Sequence, residues 1–583
     1  MILLFGGTTE GRKAVEVLEE SGSTYYYSTK TGEQELTLHH GRRLDGAMDA
    51  EAMAAFCREH AIGLLVDAAH PFASRLHQTV AHVAARLGLP VIRFERIYPE
   101  RDPSLTWIED YDQVPRDIGS LLATTGVQSI SRLKPLEAEG MKVYYRILPR
   151  PSSVSLAHRQ GATDDQLCYY EDGATISVDA DAILLKESGL SGGFAEKVEA
   201  ARRRGMRIIV LKRPATPASF LPVNGPYGLR RMVERLLPAF FPLKSGLTTG
   251  TCATAAAIAA TLQLLKNHPS TALPAEVAVT LPNGETISVP VGYGPDYAYC
   301  IKQAGDDPDV TDGLEIRAQV AMAPQFEILG GQGVGRFTLP GFDYPPGEAA
   351  INRVPRQMIQ QNLQHLLPPS SPAVSVTLSV PDGERVASKT FNPRLGIEGG
   401  ISIIGVSGIV KPFSEEAFIE SIRKCMEVAK ASGSDRVVMN SGAKSERFVR
   451  SRYPDLPQQA FVEYGNYIGQ ALSMAHELGF PNVTLGVMLG KAVKLAAGHL
   501  DTHSRRSTMD RAFIGQMLSE AGCPDVSVGT ITLARELWDL LSNGQKVDFA
   551  RVVVGHCLEH CQPLVEKESL TILLIDDEGN IYP

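Results

Sequence analysis

The chain has 583 residues, of which 44% are hydrophobic, and its 57 Lys and Arg against 66 Asp and Glu give a net charge of −9 at pH 7. That length predicts several domains with ordinary apolar cores. The acidic balance lacks the basic stripe of a nucleic-acid-binding protein, and no run approaches the ~20 apolar residues of a membrane span. The eight cysteines show no disulfide-like spacing. We therefore expect a cytoplasmic protein with reduced thiols and neither a nucleic-acid nor a membrane partner, and the sequence leaves a homo-oligomer open.

Apolar runs alternate with helical patterns over the first 240 residues. MILLF precedes a helix predicted near Glu10–Ser21, and IGLLVDA precedes one near Ser74–Leu87. The series continues with LPVIRF, SLLAT, KVYYRIL, DAILLKE and MRIIVLKRP. Such continuous β-rich runs are typical of parallel sheets covered on both faces. We predict an α/β fold whose N-terminal half forms two Rossmann-like parallel-sheet lobes, about 1–100 and 115–240.

A second region begins in the middle of the chain. A helix predicted near Gly228–Leu237 is followed by Pro238 and Pro242, and then by KSGLTTGTCATAAA, a polar entry, a Gly/Thr loop and an Ala-rich helix. This is the pattern of a domain start, so we place the boundary between residues 242 and 243. Two turn pairs between alternating runs, Asn283-Gly284 and Asp382-Gly383, predict β-hairpins.

The α/β alternation returns from Gly399. GISIIG, a helix near Glu415–Ala431, DRVVMN, a helix near Tyr467–Leu478 and NVTLGVML follow in turn. We therefore predict that the C-terminal half consists of an α+β piece over about 243–400, followed by an α/β Rossmann-like piece over 401–583.

Polar or glycine-rich segments follow several strands of the first half, namely FGGTTEGRK, DAAHPFA, ATTGVQS and KESGLSGGFAEKVEAA. In open α/β sheets ligands bind at the carboxyl ends of strands, and a glycine-rich turn into a helix start favours an anion. A GG turn alone fits a tight strand-to-helix connection equally well. The cofactor-binding candidates are Gly6, Gly7, Thr8, Glu10, Gly11, Arg12, Thr125, Gly126, Ser188, Gly189, Gly192, Gly193 and Lys197.

These segments resemble the precorrin-6A reductase family of the CbiJ/CobK type. GGTTEGR, GRRLDGAM, DAAHPFA, RFER, TTG, YYRILPR and KESGLSGGFAEKVEAA keep the family's order over Met1–Pro214. The resemblance implies a nicotinamide dinucleotide in the cleft between two Rossmann-like lobes and hydride delivery to one double bond of a tetrapyrrole. DAAHPFA differs from the family, which usually has Thr before the His and Tyr after the Pro, so Ala69 and Phe72 each lack a hydroxyl. We select His70 and Lys186, both at strand ends, as catalytic candidates.

A tetrapyrrole substrate carries many carboxylates, and planar guanidinium groups suit them. Lys30, after YYYST, would favour a 2′-phosphate, although a surface lysine explains it too, so the choice between NADH and NADPH stays open. The arginines that could bind carboxylates, or form surface ion pairs instead, are Arg42, Arg43, Arg93, Arg96, Arg146 and Arg150.

Three segments of the second half suggest substrate contacts. The amides and hydroxyls of SGLTTGTCATAAA suit a carboxylate or simply seat the helix. The carboxylates of AGDDPDVTDGLEI suit a metal cation or a sulfonium, or form an acidic loop of Asx turns. FNPRLGIEGG places an amide and a guanidinium before a strand. The substrate-binding candidates are Thr248, Thr249, Thr251, Asp306, Asp307, Asp309, Asn392 and Arg394.

GHLDTHSRR places His499, Asp501 and His503 just after a predicted helix. A zinc site would need a further ligand that the sequence does not offer, so we expect polar catalytic or substrate contacts and no metal. GHCLEHCQ, with Cys557 and Cys561, is likewise interpreted as a packing segment of a helix rather than a metal site.

The second half resembles the cobalt-precorrin-5B C1-methyltransferase family of the CbiD type. SGLTTGTCATAAA, AGDDPDVTDGLEI, GGQGVGRFTLPG, INRVPRQMI, TFNPRLGIEGGISIIG and KLAAGHLDTHSR follow the family's order over Lys244–Arg505. The resemblance implies S-adenosylmethionine as methyl donor and C-1 of a cobalt corrinoid as acceptor. NSGAKSERF differs, because the family usually has a Gly-Asn pair where this chain has Gly442-Ala443. Methyl transfer depends on alignment more than on a strong acid or base.

The two resemblances together predict a bifunctional enzyme of corrin-ring biosynthesis. It would methylate cobalt-precorrin-5B to cobalt-precorrin-6A with S-adenosylmethionine, then reduce the macrocycle to cobalt-precorrin-6B with NADH or NADPH. Cobalt would be carried by the substrate. The alternative is an active reductase fused to a catalytically silent corrinoid-binding module, and the sequence leaves open whether the intermediate is channelled.

Overall fold

The computed structural model describes residues 1–30, 36–169, 176, 178–266, 272–367, 373–529 and 531–582. They form two compact units. The first unit is Met1–Ser245 with Ala278–Ser288, and the second is Gly246–Val277 with Val289–Pro583. Among the described residues, none of the helices combines the length and the apolar character that a membrane crossing requires.

The elements of the first unit alternate between strands and helices. The strands are β1 (Ile2–Phe5), β2 (Tyr25–Thr29), β3 (Gly41–Asp45), β4 (Leu64–Asp67), β5 (Val91–Phe94), β6 (Thr106–Ile108), β7 (Ser120–Ala123), β8 (Lys142–Ile147), β9 (Leu167–Tyr169), β10 (Ala182–Lys186), β11 (Arg207–Leu211) and β12 (Leu221–Val223). The helices are α1 (Thr9–Glu19), α2 (Ala50–Glu59), α3 (Ser74–Leu87), α4 (Ile130–Ala138), α5 (Pro151–Arg159), α6 (Phe194–Arg203) and α7 (Pro226–Leu236).

Two parallel sheets organise this unit, as the sequence predicts. The first sheet has the order β12-β5-β4-β1-β2-β3 and the second the order β6-β11-β10-β7-β8-β9. Each sheet has an apolar core on both faces, because its central strands are buried runs flanked by helices, while edge strands such as β3 are more exposed.

Each parallel sheet contains a topological switch point. In the first sheet the chain runs outward through β2 and β3 on one side of β1, and through β4 and β5 on the other. In the second sheet the same reversal falls between β7 and β10. Because the loops on either side of a switch point lead away from each other, a crevice opens there at the carboxyl ends of the strands.

The lobe limits differ from the predicted 1–100 and 115–240. β12 pairs in parallel with β5, and α7 buries Leu229 and Val233 in the core of the first sheet, so the chain returns to the first lobe at its end. β6, which precedes residue 115, pairs with β11 in the second sheet. Both differences arise from pairing between distant segments, which the order of elements along the chain does not reveal.

The second unit contains the remaining elements. Its strands are β13 (Gly246–Leu247), β14 (Glu276–Thr280), β15 (Thr286–Pro290), β16 (Gly292–Tyr293), β17 (Ala298–Ile301), β18 (Glu315–Ala323), β19 (Glu327–Gly330), β20 (Arg336–Phe337), β21 (Ala373–Ser379), β22 (Ile397–Glu398), β23 (Ile409–Val410), β24 (Arg436–Asn440), β25 (Phe461–Glu463), β26 (Asn482–Met488), β27 (Leu570–Ile575) and β28 (Ile581–Tyr582), with the middle of the β14–β15 hairpin belonging to the first unit. Its helices are α8 (Thr249–Leu264), α9 (Arg353–Gln364), α10 (Gly383–Ala387), α11 (Glu415–Ala431), α12 (Ala443–Arg452), α13 (Ile468–Glu477), α14 (Leu489–Ala496), α15 (Arg511–Glu520), α16 (Leu537–Leu540) and α17 (Asn543–Cys561).

The α+β piece is built around α8. This Ala-rich helix is buried on all sides from Thr249 to Thr261 and packs against α9, β17 and β18. Its small side chains allow the close approach, and a helix that is apolar all round belongs in a core. The neighbouring sheet is mixed, with the order β16-β17-β18-β21-β19.

Two strand predictions in this piece are wrong. β14 and β15 do form a hairpin around Asn283-Gly284. Asp382-Gly383, in contrast, opens the short helix α10, and β21 before it pairs with β18 and β19 instead. GISIIG forms only isolated bridges, of Ile401 with Val334 and of Ile403 with Ile351, so it belongs to the α+β piece. In both cases contacts with distant segments of the chain determined the structure, and the local sequence pattern did not.

The α/β piece has the sheet order β25-β24-β26-β27-β28, parallel except for the edge strand β28. Its switch point lies between β24 and β26, because β25 and β26 follow β24 on opposite sides. α11 has the predicted bounds and α13 is one residue shorter at each end than predicted. The predicted fold class is thus confirmed: parallel α/β sheets in the N-terminal half, and an α+β piece followed by an α/β piece in the C-terminal half.

Candidate functional site

The first βα turn of the first unit joins the two strands that flank the switch point. Thr8 caps α1, because its Oγ1 accepts a hydrogen bond from the Gly11 amide at 3.0 Å. The same hydroxyl donates to the carbonyl of Ala68 at 2.6 Å, just beyond β4. A Cβ on Gly6 would lie 2.2 Å from the ring of Tyr27, so this glycine is required by packing as well as by any ligand.

Basic residues surround the same turn. The amide of Gly7 donates to the Tyr27 hydroxyl at 3.0 Å. Burial raises the pKa of Tyr27, while the bond from Gly7 and the nearby charges of Arg43 and Arg12 act in the opposite direction. Lys30, at the end of β2, is exposed. These cations, at the β1–β3 side of the crevice, favour an anion such as a phosphate.

The second switch point is built from the other two predicted loops. The hydroxyls of Thr125 and Ser129 are 2.6 Å apart next to Gly126. On the opposite side, Lys197 donates from Nζ to the Gly192 carbonyl at 3.0 Å. Burial, followed by the charges of Arg146 and Arg96, lowers the pKa of Lys197. The predicted loops are therefore at the carboxyl edge of the second sheet.

A buried ion pair connects the two lobes. Arg96 donates from Nε to Glu10 Oε2 at 2.9 Å and from Nη1 to the carbonyl of Ser188 at 2.7 Å. The hydroxyl of Ser191 donates to the other oxygen of Glu10. Glu10 and Ser188, predicted from separate motifs, thus meet through Arg96. The carboxylate of Glu10 is used to hold the lobes together.

His70 and Lys186, the two catalytic candidates of this unit, lie near each other although they belong to different lobes. Burial, followed by the charges of Arg96 and Lys186, lowers the pKa of His70 to about 3. Burial lowers the pKa of Lys186 to about 8. The Nζ atom of Lys186 is 4.9 Å from the ring centroid of Phe72, in the same loop as His70. At neutral pH the imidazole is therefore neutral and the amine is mostly protonated.

A buried charge network underlies the His70 loop, and the sequence analysis missed it. Asp67 is fully buried and accepts from His77 Nδ1 at 2.6 Å and from Arg93 Nη1 at 2.9 Å. His77 Nε2 lies 3.2 Å from the carbonyl of His70. The sequence did contain one indication of this network, namely charged residues inside strand-like runs. A charge on a buried strand needs a partner, because buried charges are found in pairs.

Two arginines predicted to bind substrate carboxylates are occupied instead. Arg93 is 1% exposed and bonds to Asp67 and to Glu95, the latter at 3.0 Å. Arg96 is buried in the pair with Glu10. The pairs favour the ion-pair alternative for these two arginines, because a guanidinium that already satisfies a buried carboxylate cannot leave it without a large cost.

In the second unit, the threonines of the TTGT loop seat α8. Thr248 caps the helix by accepting from the Thr251 amide at 3.2 Å. Thr251 is fully buried and donates to the carbonyl of Gly408 at 2.7 Å. The Thr249 hydroxyl accepts from the amide of Ile404 at 2.8 Å. These hydroxyls bond within the unit, in agreement with the helix-seating alternative left open above.

The acidic loop Asp306–Asp312 is built from internal bonds and one buried lysine. Lys302 is 1% exposed and donates from Nζ to Asp309 Oδ2 at 3.0 Å. Asp309 also accepts from the Thr311 amide, in an Asx turn, and the charge of Lys302 and these bonds hold its pKa below the usual value despite burial. Asp307 accepts from the amide of Phe413 at 3.0 Å, while Asp306 is exposed.

Asn392 and Arg394 also bond within the unit. The Asn392 side chain donates to the Gly400 carbonyl at 3.0 Å and accepts from the Ser402 hydroxyl at 2.7 Å. Arg394 pairs through Nη1 with Glu446 Oε2 at 2.8 Å, on α12. Arg394 thereby lies beside the NSGAKSERF segment that the sequence comparison singled out.

His499, Asp501 and His503 do not form a triad. Asp501 accepts from the amide of His503 at 3.0 Å and from Arg506 at 2.9 Å, and the ring Nδ1 of His503 accepts from the Arg505 amide. His499 is exposed. The segment is held by backbone bonds and leaves two imidazoles near the surface.

The predicted residues of this unit converge on the start of α11. Arg506 joins Asp501 to Glu415 with an Nη2–Oε2 distance of 2.7 Å. Two residues before Glu415, the amide of Phe413 binds Asp307. The acidic loop and the HLDTH segment, about 190 residues apart in sequence, thus contact neighbouring residues of the chain.

The second unit has an α/β crevice of its own at the switch point of β24 and β26, where the NSGAKSERF segment follows β24. Gly442 follows β24 with φ 147°, a backbone conformation that favours glycine, and a Cβ there would be 3.5 Å from the Glu463 carboxylate. Asn440 and Glu463 are paired across β24 and β25. Lys491, in the first turn of α14, donates to the Gly465 carbonyl, and burial lowers its pKa to about 8.

Large apolar side chains are exposed on the 401–413 segment. Ile404 is 48% exposed, Val406 74% and Phe413 66%. Because Ile404 also binds Thr249 and Phe413 binds Asp307, this apolar segment is next to the predicted polar residues. Scattered exposed apolar residues are ordinary, but three on one short segment beside buried polar groups indicate a contact surface.

Among the described residues, no group of three or more His, Cys, Asp or Glu side chains is placed to hold a metal ion. Cys557 and Cys561 are fully buried, and burial raises the pKa of both thiols. They pack in the core of the α/β piece, as expected for that helix segment.

Three family models match the chain in order. The model of the precorrin-6x reductase CbiJ/CobK matches residues 1–225, that of CbiD residues 239–412, and that of the CbiD C-terminal domain residues 501–582. A cobalt-precorrin-5B C(1)-methyltransferase of Prosthecochloris aestuarii is 42% identical over 349 residues, covering 57% of this chain and 94% of its own.

The chain is also similar to two solved structures. A crystal structure of the cobalamin biosynthesis protein CbiD of Archaeoglobus fulgidus is 30% identical, covers 45% of this chain and 83% of its own, and has a TM-score of 0.26. A CobK precorrin-6A reductase is 18% identical, covers 40% of this chain and 96% of its own, and has a TM-score of 0.34. From the identity to the methyltransferase and its coverage, the chain belongs to the CbiD family through its C-terminal part, and its residues 1–225 match the model of the precorrin-6x reductase CbiJ/CobK.

Proposed function

We propose that the chain catalyses two consecutive steps on one corrinoid. The C-terminal part would methylate C-1 of cobalt-precorrin-5B with S-adenosylmethionine, and the N-terminal part, about 1–242, would reduce the resulting cobalt-precorrin-6A to cobalt-precorrin-6B with NADH or NADPH. The observation that supports this best is that each of the two units has an α/β switch point lined by polar side chains. The chemistry requires methylation first, although the reductase comes first in the chain.

In the reductase, the turn Gly6–Arg12 would hold the dinucleotide phosphates. The N-terminus of α1 and the charges of Arg12 and Arg43 suit them, and Lys30 would lie toward the adenosine ribose. Thr125, Gly126, Ser188, Gly189, Gly192, Gly193 and Lys197 would line the opposite wall. The bound reductant supplies a hydride, and the protein orients it.

Lys186 is the proton donor in this proposal. Reduction of a double bond needs a proton on the atom next to the one that receives the hydride. A general acid works best when its pKa is near the working pH, and burial brings the pKa of Lys186 to about 8. His70 stays neutral beside it, and because its Nδ1 accepts from the amide of Phe72, its Nε2–H would donate a hydrogen bond to the macrocycle.

In the methyltransferase, the donor would bind at the β24–β26 switch point. The turn at Gly442 allows close backbone approach, and Glu463 at the end of the adjacent strand suits ribose hydroxyls. The donor supplies a methyl group from its sulfonium, so that the sulfur–carbon bond breaks as the bond to C-1 forms. The role of the protein is alignment.

The corrinoid would contact the apolar 401–413 segment. Ile404, Val406 and Phe413 could pack against the macrocycle, and the nearby HLDTH imidazoles of His499 and His503 would face its polar rim. Asp306, Asp307 and Asp309 would act near the donor or the substrate, with Asp501 holding the segment in place through Arg506.

One assay tests both steps. The full chain is incubated with cobalt-precorrin-5B, S-adenosylmethionine and NADPH or NADH, and the product masses are followed. We expect a methylated product, then the methylated product with two further hydrogens. Omission of the dinucleotide should stop the reaction at the methylated corrinoid. Methylation without reduction would refute the reductase assignment, and no methylation would support a silent corrinoid-binding module.

A further inference from the structure

One short segment of the first unit carries two buried polar atoms that have no hydrogen-bond partner among the residues that the structure describes. They are Oε2 of Glu95 and the hydroxyl of Tyr98. An unpaired buried polar group destabilises the folded state, and native proteins keep few of them. Both lie on the segment that directly follows β5, within the RFERIYP sequence.

Each of the two side chains is fixed by its other end. Oε1 of Glu95 accepts from Arg93 Nε at 3.0 Å and from the Thr216 hydroxyl at 2.8 Å. The ring of Tyr98 is covered by the Arg213 guanidinium, 3.6 Å from the ring centroid. The side chains are therefore held in place while one acceptor atom and one donor atom stay unused.

The two atoms belong to one polar site. Glu95 and Tyr98 are three residues apart, and both pack against the 213–216 segment, Glu95 through the Thr216 hydroxyl and Tyr98 through Arg213. In agreement with this, burial acts together with the charge of Glu95 to raise the pKa of Tyr98. The hydroxyl of Tyr98 therefore stays protonated and can donate, whereas Glu95 Oε2 accepts. A ligand that fits both must offer one donor and one acceptor side by side.

The position of this site in the first sheet matches one end of a dinucleotide. β4 and β5 lie on one side of the switch point, and β2 and β3, with Lys30 and Arg43, lie on the other. A dinucleotide crosses such a crevice with one nucleotide on each side. The negatively charged phosphates of the adenosine end would bind on the basic side, at β2 and β3. The nicotinamide end would then lie at β4 and β5.

We propose that Glu95 and Tyr98 bind the primary carboxamide of the nicotinamide ring. The amide nitrogen would donate to Glu95 Oε2, and the amide oxygen would accept from the Tyr98 hydroxyl. The substrate's own carboxylates would be repelled by Glu95, whereas a neutral carboxamide satisfies both atoms. The inference rests on the proposed reductase function and adds the residues that fix which face of the ring is presented.

Binding of oxidised dinucleotides to the full chain, without corrinoid, tests this directly. NADP+ is compared with its 3-acetylpyridine analogue, which keeps the carbonyl but has a methyl group in place of the amide nitrogen. NAD+ and its analogue replace them if they bind more tightly. For the unmodified protein we expect the Kd of the analogue to be about ten to a hundred times higher, because a hydrogen bond to a carboxylate is lost.

Glu95→Ala should remove that preference, so that both dinucleotides bind with similar Kd. Thr216→Val is the matched control, because it removes a partner of Oε1 and leaves Oε2 in place, and it should keep the preference. An unchanged preference in Glu95→Ala would overturn the proposal. If Glu95→Ala weakened the binding of both dinucleotides equally and kept the preference, the proposal would also be overturned, since that result indicates a purely structural role through Arg93.

Tyr98→Phe provides a second test that does not depend on Glu95. Because the hydroxyl has no partner, its removal should leave the thermal unfolding midpoint of the free protein unchanged or higher. The same variant should raise the Kd of both dinucleotides equally, by about two- to tenfold, because both keep the carbonyl that accepts from the Tyr98 hydroxyl. A lower midpoint with unchanged Kd values would show that the hydroxyl binds an ordered water only, and would overturn the proposal.

The outcomes separate this inference from the proposed function. Tight dinucleotide binding without any dependence of the preference on Glu95 overturns the carboxamide site alone. Absence of dinucleotide binding in the unmodified protein overturns the reductase proposal and the carboxamide site together.

Discussion

Lys186 and His70 illustrate how burial alone changes the charge of a side chain. Each follows a strand of a different sheet, and desolvation is the main factor that lowers the pKa of both. The same physical effect prepares the lysine to release a proton near neutral pH and keeps the histidine uncharged. Perturbed groups in a crevice are candidates for catalysis, and these two meet only in the folded chain.

Lys186→Met should lower the rate of corrinoid reduction by about 10²- to 10⁴-fold, because the proton donor is lost. In the unmodified protein the rate should fall as pH rises through about 8, since the protonated amine is then lost. That decline should be absent from the variant. Reduction is measured from dinucleotide absorbance over a range of pH. Methylation by the same variant is the control and should be unchanged, and a normal reduction rate would contradict the assignment.

His70 should make the protein sensitive to acid. The folded imidazole has a pKa of about 3, below the usual 6.5, so between these values the unfolded chain binds a proton that the folded chain does not. Stability therefore falls as pH decreases from about 6.5. In His70→Asn the urea midpoint should fall less between pH 7 and pH 4. The exposed residue His499 offers a control, since the urea midpoint of His499→Asn should fall as much between pH 7 and pH 4 as that of the unmodified protein.

Glu463 carries the donor site in our proposal. Glu463→Ala should raise the Kd of S-adenosylmethionine by about ten- to a hundredfold, because a charged acceptor for ribose hydroxyls is removed. Calorimetric titration of the full chain measures this. The affinity for NADPH or NADH should not change, since Glu463 is in the second unit. An unchanged affinity for the methyl donor would place its site elsewhere.

At the scale of elements, the hydroxyls and small side chains of α8 serve the packing of the helix. Its first turn carries hydroxyls that suit a ligand, yet they bond to the 402–408 segment. Its remaining surface is small and apolar, so it can be buried on every side. The helix therefore forms the centre of the α+β piece.

Thr251→Val should destabilise the second unit by about 1 kcal/mol, because the carbonyl of Gly408 loses one of its two donors and keeps the amide of Thr248. Thr251→Ser keeps the hydroxyl and should retain most of the stability. Urea unfolding followed by fluorescence measures both variants, alongside titrations with S-adenosylmethionine and corrinoid. If Thr251→Val weakened a ligand without changing the urea midpoint, the hydroxyl would have a binding role after all.

At the scale of the whole molecule, the units do not follow the order of the sequence. Residues Ala278–Ser288 belong to the first unit, although they lie within the C-terminal half. Glu285 there accepts from the amide of Tyr227 at 2.8 Å and from that of Gly228 at 3.3 Å, at the start of α7. A Cβ on Gly225 would lie 2.0 Å from Glu285, so the glycine makes room for this cap.

Glu285→Ala should lower the stability of the first unit by about 1–2 kcal/mol, because a helix start loses its acceptor. Glu285→Gln keeps one acceptor oxygen and should recover part of the loss. Thermal inactivation of the reductase measures both. For the same reason a chain ending at residue 242 should inactivate at a lower temperature than the full chain. Equal stability of these proteins would show that the cap contributes nothing.

Much of the fold is visible in the sequence by itself. Alternation of β-rich runs and helical patterns determined the α/β class, the parallel sheets and the bounds of helices such as α3 and α11, because these depend on local periodicity. The motifs also placed Gly6, His70, Lys186 and Gly189 at strand ends, because the residues after a parallel strand must lie at its carboxyl edge.

Contacts between distant segments were decided only by the tertiary structure. The return of β12 to the first sheet, the helix in place of a hairpin at Asp382-Gly383 and the pairing of Arg96 with Glu10 all join residues far apart in the chain. The same holds for the unpaired atoms of Glu95 and Tyr98. Whether a polar group is buried, paired or free depends on what packs against it, and the local sequence does not contain that information.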